Sequence, residues 1–217
     1  MQIYGHRGAP QLFPENTLEA FAEAVRLGVD GIELDIHATS DGTPVINHDP
    51  SLSRTGGSNS LIADLSLREL RDTAPAVPTF AEVLEMVGSA VHLDVEVKQP
   101  GAEQSVLDVL AQLPDVRWSI SCFDWSVLEQ FRALDPECDL WLLGYLLNDE
   151  LLGTARHLGA TAAAIDAPAI TEDTISQAHD AGLRVMAWTV NDVERASQLS
   201  EWGLDMLCSD APQLFVG

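Results

Sequence analysis

Basic residues are scarce in this sequence of 217 residues. It contains 11 Lys plus Arg against 34 Asp plus Glu, and Lys98 is its single lysine, so the formal net charge at pH 7 is -23. Nucleic acids and anionic membrane surfaces are bound through clusters of Lys and Arg. The charge balance therefore argues against a nucleic-acid partner and against a stable anchor on an anionic membrane.

Cysteines and long hydrophobic runs are also scarce. Cys122, Cys138 and Cys208 are odd in number and lack C-x-x-C spacing, which argues against a disulfide framework and a zinc cluster. We expect them to be small buried residues. No apolar run has the length of a membrane span, and the first residues, MQIYGHRG, show no signal-peptide pattern. A cytoplasmic location is the expectation that follows.

The sequence that remains is typical of a globular α/β protein. Short apolar segments alternate with helical patterns over the whole chain, which predicts βα units around a parallel sheet. No G-x-G-x-x-G follows the first strand, which disfavours an open doubly wound sheet. Eight units predict a TIM (β/α)8 barrel, with residues 1–217 forming one compact domain. The predicted strands are Gln2–Gly5, Gly31–Ile36, Val91–Val97, Arg117–Ser121, Asp139–Leu143, Ala162–Ile165, Arg184–Thr189 and Asp205–Leu207.

Several helix starts can also be predicted from capping residues. An N-cap acceptor followed three residues later by Glu is the capping-box spacing, and it occurs at Asn16, Ser66, Thr79 and Asn191. The longest irregular stretch runs from His48 to Pro78, after a short extended segment at 44–47. We predict a lid or rim insertion there, after the second strand, rather than a second domain.

Acidic residues recur on one face of two predicted strands. Side chains alternate along a strand, so Glu33 and Asp35 share one face in GIELDI, and Asp94 and Glu96 do so in VHLDVEVK. In a barrel these faces point inward, near the C-terminal ends of the strands. Carboxylates two positions apart lie ~7 Å from each other and repel by about 2 kcal/mol.

A divalent cation between Glu33, Asp35 and Glu96 would reverse that repulsion, and oxygen donors without cysteine suit Mg²⁺ or Ca²⁺. Alternatively, one carboxylate is protonated, or Arg7 and Lys98 neutralise the cluster without a metal. We favour the metal, because two cations do not readily satisfy four buried carboxylates.

Residues suited to phosphoryl chemistry lie at other predicted strand and loop ends. His6 and His48 are placed for general acid and base catalysis near neutral pH. Arg7 offers a planar pair of donors for phosphate oxygens, and Lys98 offers a compact positive charge. Gly5 and Gly8 flank the HR pair and permit close backbone approach or unusual dihedrals.

The sequence resembles the glycerophosphodiester phosphodiesterase family in motifs that run along nearly the whole chain. These are HRGAPQLFPENTLEAF, GIELDIHATSDGTPVINHD, LDVEVK, SCFD, AWTVND and SDAP. The resemblance implies a TIM barrel that hydrolyses glycerophosphodiesters to sn-glycerol 3-phosphate and an alcohol with a divalent metal. It implies a small-molecule substrate and leaves the oligomeric state open. Cys122 and Asp94 depart from the Ser and the Asn that are common at these positions.

The resemblance also implies roles for individual residues. His6 and His48 become the acid/base pair with Arg7 beside them, and Glu33, Asp35 and Glu96 become the metal ligands. By the same resemblance His6 is the base, His48 is the acid, and the glycerol 2-hydroxyl attacks phosphorus to give a cyclic phosphate that water opens. The residues implied to contact substrate are Arg7, Lys98, Phe123 and Trp188.

Two other functions remain open at this point. One is a different metal-using barrel enzyme, such as a sugar isomerase or a phospholipase acting on lysolipid, although the two histidines with Arg7 and Lys98 favour phosphoryl chemistry over isomerisation. The other is a binding protein on a degenerate barrel, which would be expected to have lost a ligand or a histidine. Glu15 and Asn16 are further candidates for ligand contact, but an N-cap role suffices to explain Asn16.

Overall fold

Eight parallel strands form a closed barrel in the computed structural model, which describes residues 1–217. Strand β1 pairs with both β2 and β9, so the sheet closes on itself, and the short β3 pairs antiparallel with β2 outside the barrel. The strands are β1 Gln2–His6, β2 Gly31–Ala38, β3 Pro44–Ile46, β4 His92–Val97, β5 Arg117–Cys122, β6 Leu140–Gly144, β7 Ala162–Asp166, β8 Arg184–Trp188 and β9 Met206–Ser209.

Helices lie between the strands and cover the outside of the barrel. They are α1 Leu18–Leu27, α2 Leu67–Thr73, α3 Phe80–Val87, α4 Glu103–Leu110, α5 Trp125–Leu134, α6 Asp149–Leu158, α7 Glu172–Asp180 and α8 Val193–Glu201. The TIM barrel prediction is confirmed. All eight predicted strands are present, and their ends differ from the prediction by two residues at most. None of the helices combines the length and the apolar character needed to cross a membrane.

Strand alternation divides the buried side chains into two layers. Ile32, Leu34 and Ile36 are fully buried in the large core between the barrel and its helices, as the period-2 pattern predicts. A second, smaller core fills the barrel interior with Tyr4, Trp141 and neighbouring side chains. The three cysteines are buried and unpaired, as expected. The opposite face of β2, which carries the polar side chains, therefore points into the barrel.

The predicted rim insertion is a packed unit rather than an irregular lid. It contains a 3-10 turn, Ile62–Asp64, and helix α2, whose capping box between Ser66 and Glu69 forms as predicted. It also has a small core of its own, formed by Val45, Leu52, Ile62, Leu70, Ala74 and Val77. This core fixes the insertion against the strand that precedes it.

Two predicted N-caps are wrong. Thr17, not Asn16, caps α1 by accepting the Ala20 amide, and Asp192, not Asn191, caps α8. In both cases the following residue also has a capping side chain, so the sequence offered two registers for the helix start. Asn16 and Asn191 instead bond buried or loop carboxylates, described below.

Gly31, the first residue of β2, packs directly against the Tyr4 ring of β1, and this packing leaves no room for a side chain. A Cβ atom there would lie 2.1 Å from the Tyr4 ring. We expect Gly31→Ala to lower the free energy of unfolding by ~1–3 kcal/mol, measured by denaturant titration. Gly153→Ala in α6 is the matched control, because its Cβ would meet nothing within 4 Å and alanine favours a helix. A neutral Gly31→Ala would show that the Tyr4 ring moves without cost.

His92, the first residue of β4, should make the stability of the protein depend on pH. Burial, with the charges of Arg117 and Arg184, lowers its pKa to about 4, and its Nδ1 lies 3.2 Å from the Tyr4 hydroxyl. Between pH ~6.5 and 4 the unfolded chain takes up a proton that folded His92 does not. The difference in unfolding free energy between the native protein and His92→Gln should therefore fall by about 3 kcal/mol over this range. Chemical denaturation at several pH values measures it, and a constant difference would contradict it.

Candidate active site

The register of β2 and β4 brings four carboxylates together inside the barrel, toward the C-terminal ends of the strands. Glu33 lies beside Asp94, and Asp35 lies beside Glu96. One carboxylate oxygen from each of Glu33, Asp35 and Glu96 lies within 4.8 Å of the others. The strand alternation that predicted an inward acidic face therefore also produces a compact group of oxygen donors.

The electrostatics of this group fit a divalent cation. Burial, together with Asp35 and Glu96, raises the pKa of Glu33 well above its usual value, and one of its oxygens, Oε1, is buried without a hydrogen-bond partner. Burial raises the pKa of Asp94 to about 7 and also raises the pKa of Glu96. When all are ionised, the carboxylates carry more negative charge than the neighbouring protein groups compensate, and either a bound cation or protonation of one carboxylate relieves it. Hard oxygen donors with unmet negative charge suit Mg²⁺ or Ca²⁺.

Asp35 is the member of the group that has both cations, Arg7 and Lys98, beside it, although its Oδ1 has no hydrogen-bond partner. Its Oδ2 accepts a 2.7 Å hydrogen bond from Asn16 and lies 3.2 Å from Arg7 Nε, while its Oδ1 lies 3.2 Å from Lys98 Nζ. Burial alone would raise the pKa of Asp35, but Lys98, Arg7 and Asn16 outweigh it and hold the pKa below its usual value. Lys98 also bonds Glu96 at 2.5 Å. The two cations therefore neutralise part of the cluster, as the alternative without a metal proposed, but neither satisfies Glu33 Oε1.

The histidines are each oriented by an aspartate. His6 ends β1, and its Nδ1 lies 2.6 Å from Asp210 Oδ1, just beyond β9. Asn191 donates to the other oxygen of Asp210 at 2.8 Å. His48 Nδ1 lies 2.7 Å from Asp49 Oδ1. Because a carboxylate can only accept, both imidazoles carry their proton on Nδ1 and leave Nε2 for other partners.

His48 is also held through its backbone. The Nε2 of buried His37 lies 3.1 Å from the His48 carbonyl oxygen, and its Nδ1 lies 2.8 Å from Gln99 Oε1. His37 is thus hydrogen-bonded to residues of two neighbouring segments. Burial lowers the pKa of His48, and the hydrogen bond to Asp49 only partly opposes this.

Arg7 adopts a left-handed backbone conformation, with φ of 55°. This places its amide 3.0 Å from Glu33 Oε2 and its guanidinium beside Asp35 and Glu15. The adjacent Gly8 has φ of 91°, and a Cβ atom there would lie 2.7 Å from the Ala20 backbone. Left-handed backbone at a non-glycine residue costs of order 1 kcal/mol, and strained residues of this kind cluster at active sites.

Three aromatic rings contact one another at the C-terminal ends of the strands and form an aromatic wall, in which Phe123 and Trp188 line the site cavity. Phe123, Tyr145 and Trp188 follow or end strands β5, β6 and β8, and their ring centroids lie 5.2 to 5.9 Å apart. Tyr145 is 67% exposed. Phe123 and Trp188 were predicted from the family pattern, whereas Tyr145 was missed, although its place directly after a predicted strand is a usable signal.

The structure gathers the predicted site residues around one cavity of about 160 Å³, open to solvent at the C-terminal ends of the strands. His6, Arg7, Glu33, His48, Glu96, Lys98, Phe123 and Trp188 line it, and Asp35 lies buried beside its floor. Sequence reasoning missed Asp49, Asp210 and Arg54, and it assigned Asn16 a capping role. Asp49 directly follows His48, so adjacency was an available signal; Asp210 lies 204 residues from His6, and only barrel closure predicts that they meet.

Comparison with known proteins agrees with this geometry. Residues 6–214 match the model of the glycerophosphoryl diester phosphodiesterase family. Among curated proteins, a glycerophosphodiester phosphodiesterase of Bacillus altitudinis is 29% identical over 236 residues, covering 97% of this chain and 95% of the relative. One of Caldanaerobacter subterraneus is 27% identical over 232 residues, covering 99% and 96%.

Among solved structures, a phosphodiesterase of Oleispira antarctica in complex with the product sn-glycerol-3-phosphate is 30% identical. It superposes with a TM-score of 0.92, over 99% of this chain and 94% of that one. The Thermotoga maritima glycerophosphodiester phosphodiesterase is 25% identical, with a TM-score of 0.87 over 100% and 97% of the two chains. A family match over almost the whole chain, on a barrel whose acidic and histidine residues converge, shows that this chain is an enzyme of the glycerophosphoryl diester phosphodiesterase family.

Proposed function

We propose that this enzyme hydrolyses glycerophosphodiesters to sn-glycerol 3-phosphate and an alcohol, using a divalent cation and two histidines. The observation that carries the proposal is the meeting of three carboxylate oxygens within 4.8 Å of one another, in a cavity lined by His6 and His48. The Oleispira antarctica relative, which was solved with sn-glycerol-3-phosphate, supports the choice of product. A binding protein on a degenerate barrel would be expected to have lost a ligand or a histidine, whereas all the proposed ligands and both histidines are present here.

Glu33, Asp35 and Glu96 would hold the cation, Mg²⁺ or Ca²⁺. When bound, such an ion offsets charge on the phosphate and lowers the pKa of an oxygen that contacts it. Arg7 and Lys98 add positive charge at the same place. Arg7 Nε and Nη1 already face Asp35 and Glu15, so the remaining Nη2 is the donor available to a phosphate oxygen.

The histidines would move the protons. We propose that His6 Nε2 accepts the proton of the attacking glycerol 2-hydroxyl and that His48 Nε2 gives a proton to the leaving alcohol. Asp210 and Asp49 hold the two rings in the tautomer this requires, with the proton on Nδ1. Water then opens the cyclic phosphate with the two roles reversed.

The aromatic wall would contact the carbon atoms of the substrate. Phe123 and Trp188 line the cavity directly, so we propose that they bind the glycerol or alcohol part by apolar contact. Arg7 and Lys98, which line the same cavity, would bind the phosphate.

An assay of glycerophosphocholine with and without EDTA tests the proposal. We expect release of sn-glycerol 3-phosphate, its loss on chelation, and its return when Mg²⁺ or Ca²⁺ is added in excess. A panel of diesters that differ only in the alcohol would then identify the preferred group. Absence of turnover for every diester with Mg²⁺, Ca²⁺ or Mn²⁺ would overturn the proposal and favour a binding protein.

A further inference from the structure

Arg54, in the rim insertion, bridges two carboxylates beside the proposed site. Its Nε donates to Asp49 Oδ2 at 2.8 Å, and its Nη1 lies 2.8 Å from Glu15 Oε2. Each carboxylate uses its other oxygen on a site residue. Asp49 Oδ1 lies 2.7 Å from His48 Nδ1, and Glu15 Oε1 accepts from Arg7 Nη1 at 2.8 Å.

We propose that Arg54 is a positioning residue: it fixes the carboxylate of Asp49 and thereby holds the His48 imidazole with Nε2 toward the cavity. The proposal rests on the role proposed above for His48. A carboxylate bonded at one oxygen can still rotate about its side-chain bonds. Bonds at both oxygens, one from Arg54 and one to His48, define its plane.

Stability alone is a weak explanation for this bridge. The Arg54 side chain is 43% exposed, and ion pairs with that exposure contribute ~0–1 kcal/mol. Its segment is nevertheless well anchored, since Thr55 donates to Asn47 Oδ1 at 2.7 Å and the Gly56 amide donates to the Leu52 carbonyl at 2.7 Å. The anchored backbone delivers one guanidinium to a defined point beside His48, which is what orientation of an acid or base requires.

Arg71 provides a matched control in the same insertion. It lies in α2, donates to the Val77 carbonyl at 2.9 Å and pairs with Glu82. It contacts none of the proposed site residues. Arg71→Ala therefore removes an arginine and its ion pair from the insertion while leaving the contacts of Asp49 intact.

Steady-state kinetics on glycerophosphocholine test the proposal. We expect Arg54→Ala to lower kcat by roughly 10–100-fold with little change in KM, Arg54→Lys to recover part of the loss, and Arg71→Ala to stay within about 2-fold of the native rate. Adding Arg54→Ala to His48→Ala should cause a much smaller loss than in the native background, because only the second contact of Arg54, through Glu15 to Arg7, is then left to remove. Equal losses for Arg54→Ala and Arg71→Ala, or a full additional loss in the His48→Ala background, would overturn it.

A nuclear magnetic resonance measurement tests the same contact without turnover. The His48 Nδ1–H resonance is identified by its absence from the spectrum of His48→Ala. We expect it to persist in Arg71→Ala and to broaden or disappear in Arg54→Ala; an unchanged resonance in Arg54→Ala would overturn the proposal. Failure of the proposed function is distinguishable, because it would show as no turnover by the native enzyme or near-normal turnover by His48→Ala.

Discussion

Replacing His6 or His48 by alanine is expected to lower kcat by ~10²–10⁴-fold while leaving the barrel folded. Each ring lines the cavity and is oriented through Nδ1 by an aspartate, so its removal eliminates a placed proton acceptor or donor. Turnover of glycerophosphocholine and thermal unfolding, measured on the same preparations, separate catalysis from stability. His157→Ala, an exposed position on α6, is the matched control. Near-normal turnover in either variant would remove that histidine from the mechanism.

A substrate with a good leaving group can identify which histidine is the general acid. A substrate that releases p-nitrophenolate needs little protonation of the leaving oxygen, so loss of the general acid should matter less for it. We expect the defect of His48→Ala to shrink with this substrate and the defect of His6→Ala to persist. Because burial lowers the pKa of His48, and a neutral imidazole is a good base, the reverse assignment is the competing hypothesis. The opposite pattern of rescue would establish it.

Asp35→Asn is expected to weaken binding of the divalent cation and to lower kcat by at least ~10²-fold. The substitution keeps the shape of the side chain but removes its negative charge. That charge faces the other two proposed metal ligands, and it also faces the cations Arg7 and Lys98. Titration calorimetry with Mg²⁺ and with Ca²⁺ measures the affinity directly, and activity as a function of metal concentration measures its consequence.

Asp94→Asn is the matched control for this experiment. It replaces a buried carboxyl group that lines the same cavity, but Asp94 lies outside the group whose oxygens converge. We expect the metal to bind it much as it binds the native protein. Equal weakening by the two substitutions would mean that general negative charge, and not the three converging ligands, attracts the cation. Unchanged affinity in Asp35→Asn would exclude Asp35 as a ligand.

Much of this protein follows from local patterns in its sequence. Alternation along a strand has a period of two, so GIELDI and LDVEV by themselves placed Glu33, Asp35 and Glu96 on the inward faces, and the structure brings them together. The order of βα units likewise determined the barrel, because eight parallel strands close without a free edge. Both rules depend on neighbours a few residues apart.

The tertiary structure alone decided the contacts that orient those residues. Asp210 meets His6 only because β9 closes onto β1, and Asn16 reaches Asp35 only because a left-handed turn, with φ of 57°, directs its side chain inward. Arg54 reaches Asp49 through the fold of the rim insertion. The direction in which a strand side chain points follows from the two-residue repeat of the backbone. A side-chain hydrogen bond instead depends on loop dihedral angles and on which distant segment lies within about 3 Å. No local sequence pattern encodes these two quantities.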